Sequence, residues 1–455
     1  MIHEARIHRL NDGSVVKGRF VLYWMQSSCR VECNHALEYA IRTANDLRRP
    51  VVACFGLTAN FPEANARHYA FLLEGLRDVS RGLERRGIPL VVRRGAPDAV
   101  AAELSREACL VVTDRGYLRI QREWRARAAQ AISCALIQVE SDVVVPVEAA
   151  SFKEEYAAAT LRPKLRKLLR EFAVPLRKTT LRSDPPARTP ATLPLEDIPS
   201  VLGDLGVDDT VPPVAGIAGG PTAATVRLEE FIERGLRPYH DQRSDPGLDG
   251  QSGLSPYLHF GHISPLQIVL AVKRRRGKGV AAFLEELVVR RELSMNFTHF
   301  NPRYDQFACL PRWCRATLLG HERDARPYRY SSEQLETART HDPCWNAAQM
   351  EMVATGRMHG YMRMYWGKKI LEWTERPQEA FRIALHLNNK YQLDGRDPNG
   401  FAGVAWCFGK HDRPWTERPV FGMVRYMNAN GLKRKFDMDA YVRRVEGLRA
   451  TERAS

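Results

Sequence analysis

Arg19-Phe-Val-Leu-Tyr-Trp24, Pro50-Val-Val-Ala-Cys-Phe-Gly56, Pro89-Leu-Val-Val-Arg-Arg94, Cys109-Leu-Val-Val-Thr-Asp114 and Ala135-Leu-Ile-Gln-Val-Glu140 decide the fold class of the first third of the chain. Each is a short apolar run, mostly rich in β-branched residues, and too short for a helix of ordinary length. Between them lie amphipathic stretches at about 33–48, 63–86, 97–106 and 117–133. This alternation predicts right-handed βαβ units around a parallel sheet, a Rossmann-like α/β domain over 18–150. Neither GxGxxG nor GxxxxGK[ST] occurs, so dinucleotide binding at the first strand–helix turn is not expected.

Outward from this block the pattern changes. Nine prolines fall between 175 and 222, and Gly216-Ile-Ala-Gly-Gly-Pro221 has no strand-and-helix context for a phosphate loop. A connector is expected over 151–224, proline-rich from about 175. Beyond it, helical periodicity appears near 225–235, 263–275, 279–297, 332–339, 345–357, 360–374, 377–388 and 419–429. Irregular connections are expected at 236–262, 298–331 and 389–418, and loops of that length usually carry function. The predicted architecture is an α/β domain with a parallel sheet, then a larger all-α domain over 225–450.

A chain of 455 residues, 44% hydrophobic, has room for two or three domains with their own cores. Its formal charge of +15 reflects either an arginine-rich composition or a polyanionic partner. The nine cysteines include no CxxC pair, and the Cys29–Cys33 spacing has no third cysteine placed for an iron–sulfur site, so no metal is expected. No cleavable N-terminal segment or bilayer-length apolar run is visible, which predicts a cytoplasmic protein with reduced thiols and no membrane partner.

Six of the eight tryptophans lie between Trp313 and Trp415. Trp366, Ile370 and Trp373 fall at i, i+4 and i+7, with the two indoles roughly 10 Å apart along a helix axis. That spacing suits electron hopping and equally suits an aromatic core stripe. In Leu393-Asp-Gly-Arg-Asp-Pro-Asn-Gly-Phe-Ala-Gly-Val-Ala-Trp406 two carboxylates precede small residues that permit close backbone approach to a ligand, although Asp-Gly also makes turns. Upstream, Arg243 with Ser252, Ser255 and nearby amides is suited to a pyrophosphate. Gly250-Gln-Ser-Gly-Leu254 narrowly misses GxSxG, with Leu254 where the last glycine belongs, which sets a hydrolase aside.

Leu254-Ser-Pro-Tyr-Leu-His-Phe-Gly261, Glu285-Glu-Leu-Val-Val-Arg-Arg-Glu-Leu293, Trp345-Asn-Ala-Ala-Gln349, Met358-His-Gly-Tyr-Met-Arg-Met-Tyr-Trp366, Leu393-Asp-Gly-Arg-Asp-Pro-Asn-Gly400 and His411-Asp-Arg413 together resemble the photolyase and cryptochrome flavoproteins. Within them the chain is similar to class II cyclobutane pyrimidine dimer photolyases. The resemblance implies FAD bound U-shaped in the helical domain and active in its reduced form. It implies an optional antenna chromophore, a deazaflavin or a folate, in the α/β domain. UV-damaged DNA is the implied partner, with nucleoid association when bound; a monomer is expected. The implied reaction is blue or near-UV light-driven electron donation from flavin to a flipped-out dimer, splitting it into two pyrimidines. The alternative is a cryptochrome-like FAD blue-light receptor.

By the same resemblance, Tyr239, Arg243, Ser252, Leu254 and Ser255 match positions around the FAD phosphates and ribityl chain, and Asp397 lies in the flavin-contacting loop. Arg363 and Asp394 match an ion pair beside the isoalloxazine. Asn388 matches the amide facing flavin N5 in class II members; Gly400 stands where class I enzymes place that asparagine, and Val404 replaces the class I proximal tryptophan. Trp406 matches the indole stacked on the lesion, and Met364 and Glu286 match groups against the thymines. Arg290 occupies the place of a second lesion tryptophan in some relatives. Glu286, if protonated in an apolar pocket, would donate to a dimer carbonyl. Arg413 and Arg425 match lesion-strand contacts. Trp366, Trp345 and Trp373 match the proximal, middle and distal members of the photoreduction chain. Lys433, Arg434 and Lys435 are placed for phosphates or simply form a solvated helix end.

Overall fold

In the computed structural model of the protein, which describes residues 2–454 and the side chains of 2–448, a six-stranded sheet forms the N-terminal core. The strands are β1 (Ile7–Arg9), β2 (Phe20–Trp24), β3 (Val51–Leu57), β4 (Leu90–Arg94), β5 (Ala108–Asp114) and β6 (Ala135–Val139), in the order β1-β6-β5-β2-β3-β4. All neighbours are parallel except β1, which runs antiparallel to β6. The five parallel strands are those expected; β1 is three residues long and carries no readable period.

Helices α1 (His35–Leu47), α2 (Ala66–Glu84), α3 (Pro97–Ser105) and α4 (Arg119–Ala131) cover the sheet. Leu37, Ile41, Leu73 and Leu76 of α1 and α2 pack on one face, and Val100, Leu104 and Trp124 of α3 and α4 on the other. With both faces covered, β2, β3, β5 and β6 are buried along their whole length, which is why they read as unbroken apolar runs. Strand order reverses between β2 and β5, and the crevice at their C-terminal ends is where open α/β sheets bind ligands.

The remainder is helical, around a core that holds Trp345, Trp366, Trp373, Phe381 and Tyr441. Three expectations need revision. Residues 419–428 form no helix, and the next helix, Ala429–Lys435, begins only at 429: Pro419 removes a donor, Val420 and Gly422 take positive φ of 68° and 50°, and Arg418 bridges back to Gly422. The supposed loop ending at Trp406 is mostly the helix Pro398–Cys407, with Asp397 as its N-cap and proline at its first position. The connections at 236–262 and 298–331 contain short helices, among them Ser255–His259 and Arg312–Gly320. Between 151 and 224, Ala158–Phe172 and Ile198–Leu205 are also helical.

The two parts are held together by buried polar contacts. Arg30 pairs with Asp142 at 2.6 Å and donates to the carbonyl of Gly261 at 3.1 Å. Gly261 has φ +67°, and a Cβ there would meet the Ser27 carbonyl at 1.7 Å, so only glycine fits this contact. At the start of α2, Arg67 donates to the carbonyls of Val353 and Tyr391 at 2.7 and 2.8 Å. His68 Nδ1 accepts from the Asn65 amide at 3.1 Å, and Nε2 lies 3.0 Å from the Gln392 carbonyl and 2.8 Å from Arg396 Nη1.

Glu292, on the helix Arg291–Phe300, ties this helix to the segment after β6: Oε1 accepts from the amides of Val144 and Val145 at 2.7 and 3.2 Å, while Oε2 has no partner. Burial pushes its carboxyl up to about 8. Unfolded, it titrates near about 4.3. Between these values the folded state keeps a proton that the unfolded chain has released, so stability falls as pH rises across that window. The urea midpoint of the native protein is expected to drop between about pH 5 and pH 8, and Glu292→Gln to flatten that slope; an unchanged slope in the variant contradicts the assignment.

Candidate functional site

Two adjoining cavities open into the helical part. The inner one, about 290 Å³, is lined by Tyr239, Ser252, Leu254, Ser255, Asp394 and Asp397 among others. The outer one, about 790 Å³, is lined by Arg243, Arg290, Met364, Trp406, Asp412 and Arg425 among others. Tyr239, Gln251, Glu286, Arg363 and Asn399 belong to both walls. A ligand in one cavity therefore shares side chains with a ligand in the other.

Arg363, on the helix Gly360–Trp373, lies 3.6 Å from Asp394 and donates to Gln392 Oε1. Its Nε is buried with no partner, as is Nε of Arg291, which also lines the inner cavity. With both guanidiniums on its wall, the inner cavity is cationic and suits an anionic or carbonyl-rich ligand. Ser252 turns its hydroxyl to the Leu254 amide at 3.4 Å. Tyr239 packs edge-on to Phe231 and Phe283, and burial raises its phenol to about 12, so it stays neutral.

Asn388 is buried near the end of the helix Pro377–Tyr391, donating to Asn389 Oδ1 and accepting from Gln392 Nε2, both at 3.1 Å. It does not appear on either cavity wall, but a Cβ at Gly400 would stand 3.0 Å from its Nδ2. The amide thus occupies the space that a side chain at 400 would need. Asp397 caps the Trp406 helix through the Asn399 amide at 2.8 Å, and its other oxygen meets His259 Nδ1 at 3.2 Å. Burial alone would raise the Asp397 carboxyl, yet His259 and the cap hydrogen bond hold it below its ordinary value.

Glu286 does not sit in an apolar pocket. Its carboxylate accepts from Arg243 Nη1 at 2.7 Å and is 37% exposed, so the protonated-donor expectation lacks its premise. It lies in a π-helical turn, Glu285–Arg290, between Lys278–Leu284 and Arg291–Phe300; such turns interrupt helices at functional sites. Arg425 is held by Asp412 at 2.9 Å with its guanidinium carbon 4.2 Å from the Trp415 ring centre and 5.5 Å from that of Trp406. Arg413 lies outside the cavity wall, exposed against Trp415.

Trp345, from the helix Pro343–Thr355, comes between the two indoles of the next helix. Its ring is parallel to Trp366 at 6.4 Å and edge-on to Trp373 at 5.5 Å. Trp345 Nε1 donates to the Trp366 carbonyl and Trp366 Nε1 to Gln349, at 3.0 and 2.9 Å. The expected separation of Trp366 and Trp373 along one helix is thus divided into two near-contact steps.

The family model described as DNA photolyase matches residues 21–187. The deoxyribodipyrimidine photo-lyase of Methanothermobacter thermautotrophicus is 54% identical over 98% of this chain and 99% of its own length. That of Oryza sativa subsp. japonica is 40% identical over 98% of this chain and 91% of its own. The chain belongs to the DNA photolyase family. A solved archaeal photolyase from Sulfolobus tokodaii, 17% identical, has the same fold, with a TM-score of 0.70 over 93% of this chain and 88% of that one.

Within this family frame, Gln251, Arg291, Gln392 and Lys368 are site-adjacent residues that sequence reasoning missed. None of them left a signal: Lys368 stands beside Lys369 and four residues before Glu372, so it reads as part of an ordinary charged helix face. Among the described residues no group of three or more His, Cys, Asp or Glu is placed to hold a metal, and no helix is long and apolar enough to cross a membrane.

The Asn388–Gly400 contact is testable in isolation. Gly400→Ala would force the Asn388 amide to shift, which offsets the roughly 1 kcal/mol of helix propensity that alanine otherwise gains within Pro398–Cys407. Asn388→Ala removes the obstruction, so the double variant should be more stable than the sum of the singles by at least about 0.5 kcal/mol in a denaturation cycle. Strict additivity refutes the contact.

Proposed function

We propose that the protein is a deoxyribodipyrimidine photo-lyase, a flavin-dependent carbon–carbon lyase that repairs cyclobutane pyrimidine dimers in UV-damaged DNA with blue or near-UV light. The observation that supports this reading is the common wall of Tyr239, Glu286 and Arg363 between the inner and outer cavities, across which a cofactor in the one would lie directly beside a substrate in the other. The photo-lyase names of relatives at 54% and 40% identity over nearly the full chain support repair over a cryptochrome-like receptor.

FAD would fill the inner cavity and extend along the wall it shares with the outer one. Ser252, Leu254 and Ser255 on the inner wall, with Arg243 from the outer one, would hold its phosphates and ribityl chain, and Arg291 and Arg363 would meet its oxygens. Arg363, Asp394 and Asn388 would surround the isoalloxazine, and Asp397 would fix the turn beneath it. When bound and reduced, FAD supplies on illumination the one electron that opens the strained ring. The protein's own task is positioning and electrostatics.

Trp406 and Met364 form the apolar floor of the outer cavity on which an unstacked dimer would rest; dimers pair and stack poorly, which lowers the cost of extrusion. Glu286, oriented by Arg243, would accept from base N–H groups. Arg290 and Arg425 would meet the damaged strand, with Arg413 and the Lys433–Lys435 stretch reaching phosphates further out. Trp366, Trp345 and Trp373 would pass electrons inward to reduce the flavin.

A third cavity, at the β2/β5 reversal, is lined by Met25, Phe55, Phe61, Trp124 and Phe260. At about 100 Å³ it would take only part of a flat antenna chromophore such as a deazaflavin or folate, and His259, on its wall, hydrogen-bonds to Asp397 on the wall of the inner cavity.

Purified protein should carry flavin and restore dimer-containing oligonucleotides under blue light but not in darkness; flavin without light-dependent repair contradicts the reading. Base–indole stacking contributes about 1–3 kcal/mol. Trp406→Ala should therefore weaken binding to dimer-containing duplex about tenfold or more, with undamaged duplex little affected.

A further inference from the structure

Lys368 is a buried cation without a carboxylate. Its side chain has no exposed surface, its ammonium donates to the Cys407 carbonyl at 2.6 Å, and it lies 5.1 Å from the ring centre of Trp406. No ion pair forms at Lys368 among the described residues. The groups that act on it are Cys407, Asp412, Arg425 and Cys314. Burial raises the two thiols to about 11 and about 12, and Asp412 is engaged by Arg425. Burial lowers the Lys368 ammonium itself to about 8. It is thus the member of this group that changes charge in mildly alkaline solution.

The tryptophan ladder has a different environment. Among the described residues no cation lies over the ring of Trp345 or Trp366. Lys369 approaches Trp373 at 5.7 Å, but Glu372 at 2.6 Å offsets its charge. Trp406 meanwhile lines the outer cavity beside Arg363, at the edge of the inner one. An uncompensated positive charge close to an indole favours the neutral ring and disfavours the radical cation left after electron loss.

We propose that Lys368 acts through Trp406 as an electrostatic guard, keeping the indole under the lesion out of the electron path so that oxidation runs through Trp366, Trp345 and Trp373. This rests on the assignment of flavin to the inner cavity and of the ladder to its photoreduction. In that process one electron leaves an indole for light-excited oxidised flavin, and a thiol reductant in solution later restores it. Either indole satisfies that balance; the position of the cation selects between them. Without the ammonium, Trp406 becomes a competing donor beside the substrate.

The test uses flavin-loaded protein in a Trp366→Phe background, where the ladder is cut. Adding Lys368→Met should raise photoreduction about tenfold, equivalent to about 1.4 kcal/mol. Further addition of Trp406→Phe should abolish the gain, and Lys368→Arg, which keeps the charge, should give none. Peptide mass spectrometry after illumination should find oxidised Trp406 in Lys368→Met and not in native protein. No gain and no oxidised Trp406 in flavin-loaded Lys368→Met overturn the proposal. Should that variant lose flavin, a pH series decides. Photoreduction in Trp366→Phe should rise from about pH 7 to about pH 9.5, and Lys368→Arg should remove the rise; a flat profile overturns the guard. If Trp366→Phe alone leaves photoreduction fast, the ladder assignment fails instead, and oxidation mapping of Trp406 still decides the role of Lys368.

Discussion

The turn Asp394–Asn399 rests directly on the end of the helix that carries Asn388, and the rest of the site hangs from that contact. A Cβ on Gly395 would stand 2.8 Å from the carbonyls of both Asn388 and Asn389, and one on Gly400 would reach the Asn388 amide. Because backbone meets backbone here, each residue of the turn has one direction available. Asp394 goes to Arg363, and Asp397 goes to His259 and to the cap of the helix that ends at Trp406. Arg396, with φ 62°, returns its guanidinium to the Asn389 carbonyl beside His68 of α2. One close approach thus couples the Arg363–Asp394 ion pair, the helix that carries Trp406 and the junction with the α/β domain.

Charge is arranged differently inside and outside this unit. The formal charge of +15 supplies a long-range pull on polyanions that any basic protein has, and it carries no specificity. At the outer cavity the arginines are restrained: Arg243 by Glu286, Arg290 by Glu285 at 3.6 Å, Arg425 by Asp412. Partially neutralised guanidiniums hold fixed directions at less cost in side-chain entropy. Lys368 is the exception, and its isolation from carboxylates is what makes it informative.

How much could be read beforehand follows from the same physics. The parallel strands were legible because a sheet covered on both faces needs apolar residues at every position, a signal that survives without context. The six-stranded order and β1 were not, since Ile7-His-Arg9 has neither length nor alternation. Pro398-Asn-Gly-Phe-Ala-Gly was taken for loop because its glycines and proline lower helix propensity; the Asp397-Pro398 cap signal was present and outweighed. The reverse error arose at 419–429, where Val420, Phe421 and Val424 imitate a helical stripe while a turn held by Asp324 and Arg418 buries them. Site residues assigned through motifs came together around two cavities. What no motif revealed was pairing: that Arg243 would be occupied by Glu286, or that Trp345 would stand between Trp366 and Trp373.

The tryptophan ladder shows why the bland and the functional readings of an aromatic stripe need not compete. Trp345, Trp366 and Trp373 are at most 2% exposed and form part of the largest core of the helical domain, so their burial contributes to stability whatever else they do. The same packing fixes ring separations at 6.4 and 5.5 Å and supplies each of the first two indole N–H groups with an acceptor. A rigid, dry core is the environment in which an electron can move between rings without solvent reorganising around every step. Trp406, half-buried at a cavity wall, lacks that shielding and has a cation beside it instead. Differences in burial and local charge, with the same side chain throughout, set the three core indoles apart from Trp406 at the cavity wall.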